Sequence, residues 1–102
     1  MESEILSALK KKKAELLPRG FIILGVFGSF ARGEETENSD LDLLYELNTD
    51  FYNKYPGWEA AAVLQEIREE FSHFFQRKVD IANKNALRGI SGENILSQVL
   101  YV

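Results

Sequence analysis

Residues 28 to 43 read GSFARGEETENSDLDL, and residues 78 to 82 read KVDIA. Asp40 and Asp42 are one residue apart. In a strand, side chains at i and i+2 stand on the same face, so these carboxylates would sit side by side at the mouth of a strand. Like charges that close repel, and one pKa rises unless a cation lies between them. Carboxylate oxygens in this arrangement suit Mg²⁺ or Mn²⁺, which accept a few carboxylates together with substrate phosphates. The plainer reading is two solvated acids at a strand start, the commoner case for an isolated Asp-X-Asp. Asp80 sits between Val79 and Ile81. Buried there, its charge needs compensation; by strand alternation it can instead face solvent with Lys78. If its strand lies beside that of Asp42, the three carboxylates share one sheet face and can hold two divalent ions.

Gly28 and Ser29 directly follow the apolar run Phe21 to Phe27. A glycine there lets backbone approach a ligand closely. Ser29 can cap a short helical turn through Arg32, with Gly33 as its left-handed terminator. The exposed N–H groups of such a turn favour anions, which makes Gly28-Ser29 a candidate phosphate cradle. By itself, Gly-Ser after a strand is more often only a turn.

The elements that must position these residues can be read from periodicity. Residues 3 to 17 form a helix with Ser3 as N-cap and Ile5, Leu9 and Leu16 near one face, ended by Pro18 and Gly20. Phe21 to Phe27 lacks polar alternation, the pattern of a strand covered on both faces, with a buried helix as the alternative for so short a run. Leu41 to Leu47 is a second strand, and Asn48-Thr49-Asp50 a turn. Residues 57 to 75 form the clearest helix, with Ala60, Leu64, Ile67, Phe71 and Phe74 on its core side. Residues 78 to 82 form a third strand, and Ser91 caps a last helix in which Ile95, Leu96, Val99 and Leu100 pair at i, i+4. This order predicts an α/β (α+β) fold: a small mixed three-stranded sheet with helices packed on it, in one domain spanning residues 1–102.

Composition narrows the function classes. The 102 residues are 45% hydrophobic and 27% charged, a globular mix. A net charge of -4 counts against direct nucleic-acid binding. There is no cysteine, which removes disulfides, zinc-thiolate sites and cysteine nucleophiles, and the one histidine, His73, excludes histidine clusters. Lys10 to Lys13 followed by an apolar run superficially suggests a secretory signal, but Glu2, Glu4 and Glu15 are misplaced for one and Pro18-Arg19-Gly20 interrupts it. No stretch approaches the roughly 18 apolar residues that span a bilayer. A cytoplasmic protein without a membrane partner is expected.

Taken together, Gly28-Ser29, Arg32-Gly33, Ser39 and Asp40-X-Asp42 resemble the nucleotidyltransferase signature of the DNA polymerase beta superfamily. Matches at all seven positions, at roughly one in fifteen each, would arise by chance on the order of once in 10⁸ placements. Asp80 on a later strand completes the superfamily's carboxylate set. The resemblance is motif-level over residues 28 to 43 and 78 to 82, and in element order it covers nearly the whole chain. It implies a palm-like fold, and the short length resembles the minimal nucleotidyltransferases, many of which are antitoxins encoded beside toxins of the higher-eukaryote and prokaryote nucleotide-binding (HEPN) family.

The resemblance implies roles residue by residue. Gly28 and Ser29 contact the β- and γ-phosphates of ATP. Asp40 and Asp42 bridge two Mg²⁺ ions (Mn²⁺ as the alternative), and Asp80 binds the catalytic one and helps take the proton of the attacking hydroxyl. Arg32 either touches phosphate or pins its loop through Glu34, Glu35 and Glu37; Ser39 matches the pattern without an assigned role. Larger superfamily members add an acceptor-binding domain, whereas here almost nothing follows the third strand, which suits a protein acceptor. AMP transfer to a tyrosine of a HEPN-type toxin is the implied activity. The alternatives are a non-catalytic module that neutralises its partner by forming a complex, and nucleotidylation of a small molecule, which the lack of a pocket domain disfavours.

Four other features have bland readings. Lys10 to Lys13 sweep around a helix and are solvated rather than one basic stripe. His73 lies at the polar edge of its helix. Tyr52, Tyr55 and Trp58 cap the core rather than stack on adenine or a partner. The aliphatic last helix belongs to the core or to a homo- or hetero-oligomeric interface.

Overall fold

The computed structural model describes residues 2–87 and 89–102, with the side chains of Glu2, Ser3, Ile90 and Ser91 outside the described set. The N-cap assignments to Ser3 and Ser91 therefore fall outside the described residues. Helix α1 (Glu2–Leu16) runs into a 3-10 turn at Leu17–Arg19, with Pro18 at its start and Gly20 left-handed at its end (φ 84°). Strand β1 (Phe21–Phe27), helix α2 (Ser29–Arg32) and strand β2 (Leu41–Leu47) follow. Helices α3 (Thr49–Lys54) and α4 (Glu59–Phe75) lead to β3 (Val79–Asn83), and a 3-10 turn, α5 (Gly89–Ser97) and β4 (Leu100–Tyr101) complete the order.

The sheet is mixed, as expected, but has four strands in the order β3-β2-β1-β4. β1 and β2 are antiparallel neighbours, and β2 and β3 run parallel. A parallel pair needs a crossover connection, which α3 and α4 supply. Leu9 and Leu16 of α1, Phe51 of α3, and Ile67 and Phe71 of α4 join Phe21, Ile23 and Val26 of β1 and Leu41, Leu43 and Tyr45 of β2 in one core. Cover on the opposite face of β1 is partial, for Ile22, Leu24 and Phe27 are half-buried.

Four expectations are corrected. The last helix stops at Ser97, and Leu100 and Tyr101 pair antiparallel with Val26 and Gly25 of β1. Gly25 permits this, since a Cβ there would collide with the Leu100 carbonyl; a glycine inside an apolar strand marks such a close approach. Asn48-Thr49-Asp50 starts α3 rather than a plain turn, because the Asn48 side chain accepts from the N–H groups of Asp50 (2.9 Å) and Phe51 (3.4 Å), the bonding of an N-cap. On α4, Phe75 packs against the core while Phe74 is 52% exposed, because four residues on from Phe71 returns to the core stripe and three falls beside it. Tyr52 and Trp58 are exposed, and only Tyr55 packs inward, 4.9 Å from the Phe51 ring.

His73, Lys10 and Lys11 face solvent as expected. Lys12 differs, lying 4.4 Å from the centroid of the Phe74 ring, and so does Lys13, whose Nζ donates to the Val102 carbonyl at 2.7 Å. Among the described residues no helix is long and apolar enough to cross a membrane.

Candidate active site

The end of β1 and the starts of β2 and β3 meet at one edge of the molecule. After Phe27 the chain turns at Gly28 (φ 72°, ψ -146°), the N-cap of α2, and Gly33 (φ 70°) ends that helix with its N–H on the Phe30 carbonyl at 3.3 Å. Both glycines adopt the positive φ that other residues rarely tolerate. Gly28 is further constrained by space, because a Cβ there would strike the Asp42 carboxylate. The Gly28-Ser29 backbone therefore passes directly beside Asp42, and only a glycine fits.

Asp42 is the centre of the cluster. Its register partner on β1 is Phe27 and its partner on β3 is Asp80. Parallel neighbours in register point to the same face, so the Asp42 and Asp80 carboxylates share one side of the sheet. Asp40 stands one residue before β2, and the Lys78 ammonium lies 3.9 Å from an oxygen of Asp40 and 3.9 Å from one of Asp80. Burial first, then the charges of Asp80 and Asp40, push the Asp42 pKa up, while Lys78 and Arg32 oppose the rise. Asp42 and Asp80 are thus neighbours on one face, the outcome expected if β3 lay beside β2, and Lys78 links Asp80 to Asp40.

Arg32 ion-pairs with Glu34 through Nε at 2.8 Å and reaches Gln98 through Nη1 at 3.4 Å, so it pins the loop it starts while its charge acts on Asp42. The Ser39 hydroxyl accepts from the Thr36 N–H at 2.8 Å, and the Ser39 N–H donates to the Thr36 carbonyl at 3.1 Å. Ser39 thus closes a turn that delivers Asp40 to β2. The sequence reading missed Arg77, whose Nη1 donates to the carbonyls of Thr36 and Ser39, and the bridging place of Lys78. The available signal was a basic pair directly before Val79-Asp80.

Among the described residues no group of three histidine, aspartate or glutamate side chains stands close enough to hold a metal ion as it is. The donor chemistry nevertheless fits a hard divalent cation. The acids offer only carboxylate oxygens, and Asp42, its pKa raised first by burial and then by Asp80 and Asp40, carries a charge that such a cation would stabilise. A groove of about 580 Å³ lined by Lys11, Lys12, Glu15 and Phe74 among others shares no residue with the aspartates or with the Gly28-Ser29 turn, so the carboxylate edge is the better site.

The sequence model of the nucleotidyltransferase domain family matches residues 3–99. The chain belongs to this family. The nucleotidyltransferase is 33% identical over 102 residues to the protein adenylyltransferase MntA of Thermococcus cleftensis, a match covering 97% of this chain and 93% of that one. It is 35% identical over 86 residues to a candidate protein adenylyltransferase of Methanocaldococcus jannaschii, covering 83% and 80% of the two chains. A solved structure of a candidate minimal nucleotidyltransferase superposes with a TM-score of 0.69 at 27% identity, covering 100% of this chain and 97% of that one. The fold and the enzyme class expected from residues 28 to 43 agree with these matches. The nucleotidyltransferase has the four-stranded sheet described above, with Asp42 and Asp80 on adjacent strands.

Proposed function

We propose that this nucleotidyltransferase moves AMP from ATP onto a hydroxyl of a partner protein, a tyrosine of a HEPN-type toxin, and so acts as an antitoxin. The observation that carries the reading is the register of Asp42 against Asp80 with the Gly28-Ser29 turn beside Asp42. A protein acceptor is supported by the match, over nearly the full length of both chains, to a protein adenylyltransferase.

In this reading Gly28 and Ser29 present backbone N–H groups to the β- and γ-phosphates, and Gly28 keeps that backbone close to the carboxylates. Asp40, Asp42 and Asp80 are the residues that would hold Mg²⁺ or Mn²⁺. When bound there, such ions supply neutralisation of phosphate charge and a lowered pKa at the acceptor hydroxyl. The Asp80 carboxylate would take the hydroxyl proton. The acceptor oxygen bonds to the α-phosphorus, the bond from that phosphorus to the bridging oxygen breaks, and pyrophosphate leaves. Arg32 and Ser39 keep the loop folded, and Arg32 adds positive charge near the phosphates. The reading treats residues 1–102 as one catalytic domain acting in the cytoplasm, where ATP is plentiful.

The test mixes the protein, Mg²⁺, ATP labelled at the α-phosphorus and the product of the neighbouring gene. Label should appear on that partner and be lost with Asp42→Asn. Neutralisation of the partner by Asp42→Asn at equal concentration, without label, would favour the complex-forming alternative.

A further inference from the structure

Arg77 belongs to none of the motif positions, yet it contacts both α2 and the turn that precedes Asp40. Its guanidinium carbon lies 5.0 Å from the centroid of the Phe30 ring. Phe30 is in α2, directly after the Gly28-Ser29 turn, and is 6% exposed. Nη1 of Arg77 donates to the Thr36 carbonyl at 3.3 Å and to the Ser39 carbonyl at 3.1 Å. Thr36 and Ser39 are already tied to each other by the turn described above, so a single nitrogen anchors that turn as a unit. Asp40 is the next residue.

The arginine itself is fixed from behind. Gln76 ends α4 in the left-handed conformation (φ 55°), the Arg77 N–H donates to the Ser72 carbonyl at 3.2 Å, and the Val79 N–H donates to the Ser72 hydroxyl at 3.0 Å. Its Nε is buried and, among the described residues, has no hydrogen-bond acceptor. A guanidinium that has given up water and holds few acceptors depends strongly on those it has. Asp80 lies three residues further on, in β3.

We infer that Arg77 is a positioning residue: lying over the Phe30 ring and bonded to the Thr36–Ser39 turn, it sets the placement of Asp40 relative to Asp80 and to the phosphate-facing turn. The inference rests on the proposed transfer chemistry for its consequence, and on geometry alone for its cause. The broad guanidinium suits this place, since lying over a ring while one nitrogen donates to two carbonyls is an arrangement that the point-like lysine ammonium reproduces poorly. Misplacement of a reacting group by about 1 Å costs on the order of 100-fold in rate, so loosening this clamp lowers turnover more than it lowers stability.

The experiment compares Arg77→Lys and Arg77→Met with the parent chain by amide hydrogen exchange, and by kcat and KM for ATP in labelled-AMP transfer to the partner. Exchange at residues 34–40 should quicken at least tenfold in both variants while β1 and β2 keep their protection. kcat should fall about 10- to 100-fold, with KM for ATP changing only a few-fold. Unchanged exchange at residues 34–40 would overturn the clamp, and quickened exchange with an unchanged kcat would overturn its role in positioning. If Arg77→Met fails to fold, Arg77→Lys decides, because it keeps the charge and loses only the planar fork. Absence of AMP transfer by the parent chain would refute the proposed function, while the exchange measurement would still decide whether Arg77 holds the loop.

Discussion

Asp42 and Asp80 lie directly opposite each other on the parallel strands β2 and β3, with their carboxylates on one face of the sheet. Nothing in the packing of the core requires two acids there. Leu41, Leu43 and Tyr45 of β2 and Val79 of β3 supply the buried side chains, while the intervening acids repel each other, which is a cost to folding. A pair that destabilises the fold and lies beside a glycine with no room for a side chain is what a site for a multiply charged ligand requires.

Asp42→Asn and Asp80→Asn should each lower transfer at least 100-fold while leaving the far-ultraviolet circular dichroism unchanged. In metal-free buffer at neutral pH both variants should melt slightly above the parent. The gain should stay below the ~4–8 °C that 1 kcal/mol represents for a domain of this size, because the carboxylates are half-exposed and screened.

Stability without metal should depend on pH in a definite direction. Burial, then Asp80 and Asp40, raise the Asp42 pKa, so the folded chain binds that proton more tightly than the unfolded one. Its contribution is most favourable below the ordinary carboxylate range and is lost as pH rises through that range to the raised value. Thermal melts of the parent should therefore show a decline across this window that is weaker in Asp42→Asn. A decline of equal size in both would contradict the assignment.

Lys78, 3.9 Å from both Asp40 and Asp80, offsets part of the acid charge in the absence of a divalent ion. Lys78→Met should lower the metal-free melting temperature by a few degrees or less, as expected of an exposed pair. It should also tighten Mn²⁺ binding several-fold, measured by electron paramagnetic resonance titration, because the competing cation is gone. Weaker Mn²⁺ binding would show that Lys78 supports the ion rather than standing in for it.

Gly28→Ala combines an unfavourable positive φ with a Cβ against the Asp42 carboxylate. The backbone alone should cost about 1–3 kcal/mol, visible in urea denaturation, and transfer should fall far more than the folded fraction does. Gly33→Ala shares the positive φ but meets no atom within 4 Å. It should show the stability loss with most of the activity retained.

The site was legible in the sequence because its residues are local. Gly28 to Asp42 lie on one short stretch, and a third apolar strand carries Asp80, although Asp40 stands just before β2 rather than within it. The pairing that joins β3 to β2 is non-local, and the family pattern rather than periodicity supplied it. The basic pair Arg77-Lys78 before Val79-Asp80 marked the place of Arg77 but not its contacts, because its partners are the backbone carbonyls of Thr36 and Ser39, which no side-chain pattern announces. Strand β4 was read as helix because Val99 and Leu100 continue an i, i+4 series; the deciding residue, Gly25, lies 75 positions earlier in the chain. Phe74 was assigned to the core by its spacing of three from Phe71 and Trp58 by its place in an aromatic cluster, whereas Phe74 lies beside the core stripe, half exposed, and Trp58 is exposed.

Transfer of α-labelled AMP to a partner protein, followed with Mg²⁺ and after its removal by a chelator, tests the central claim most directly. Labelled partner with Mg²⁺, no label after chelation, and no label with Asp42→Asn or Asp80→Asn is the predicted result. Label that persists in either variant would contradict a site built on these two carboxylates.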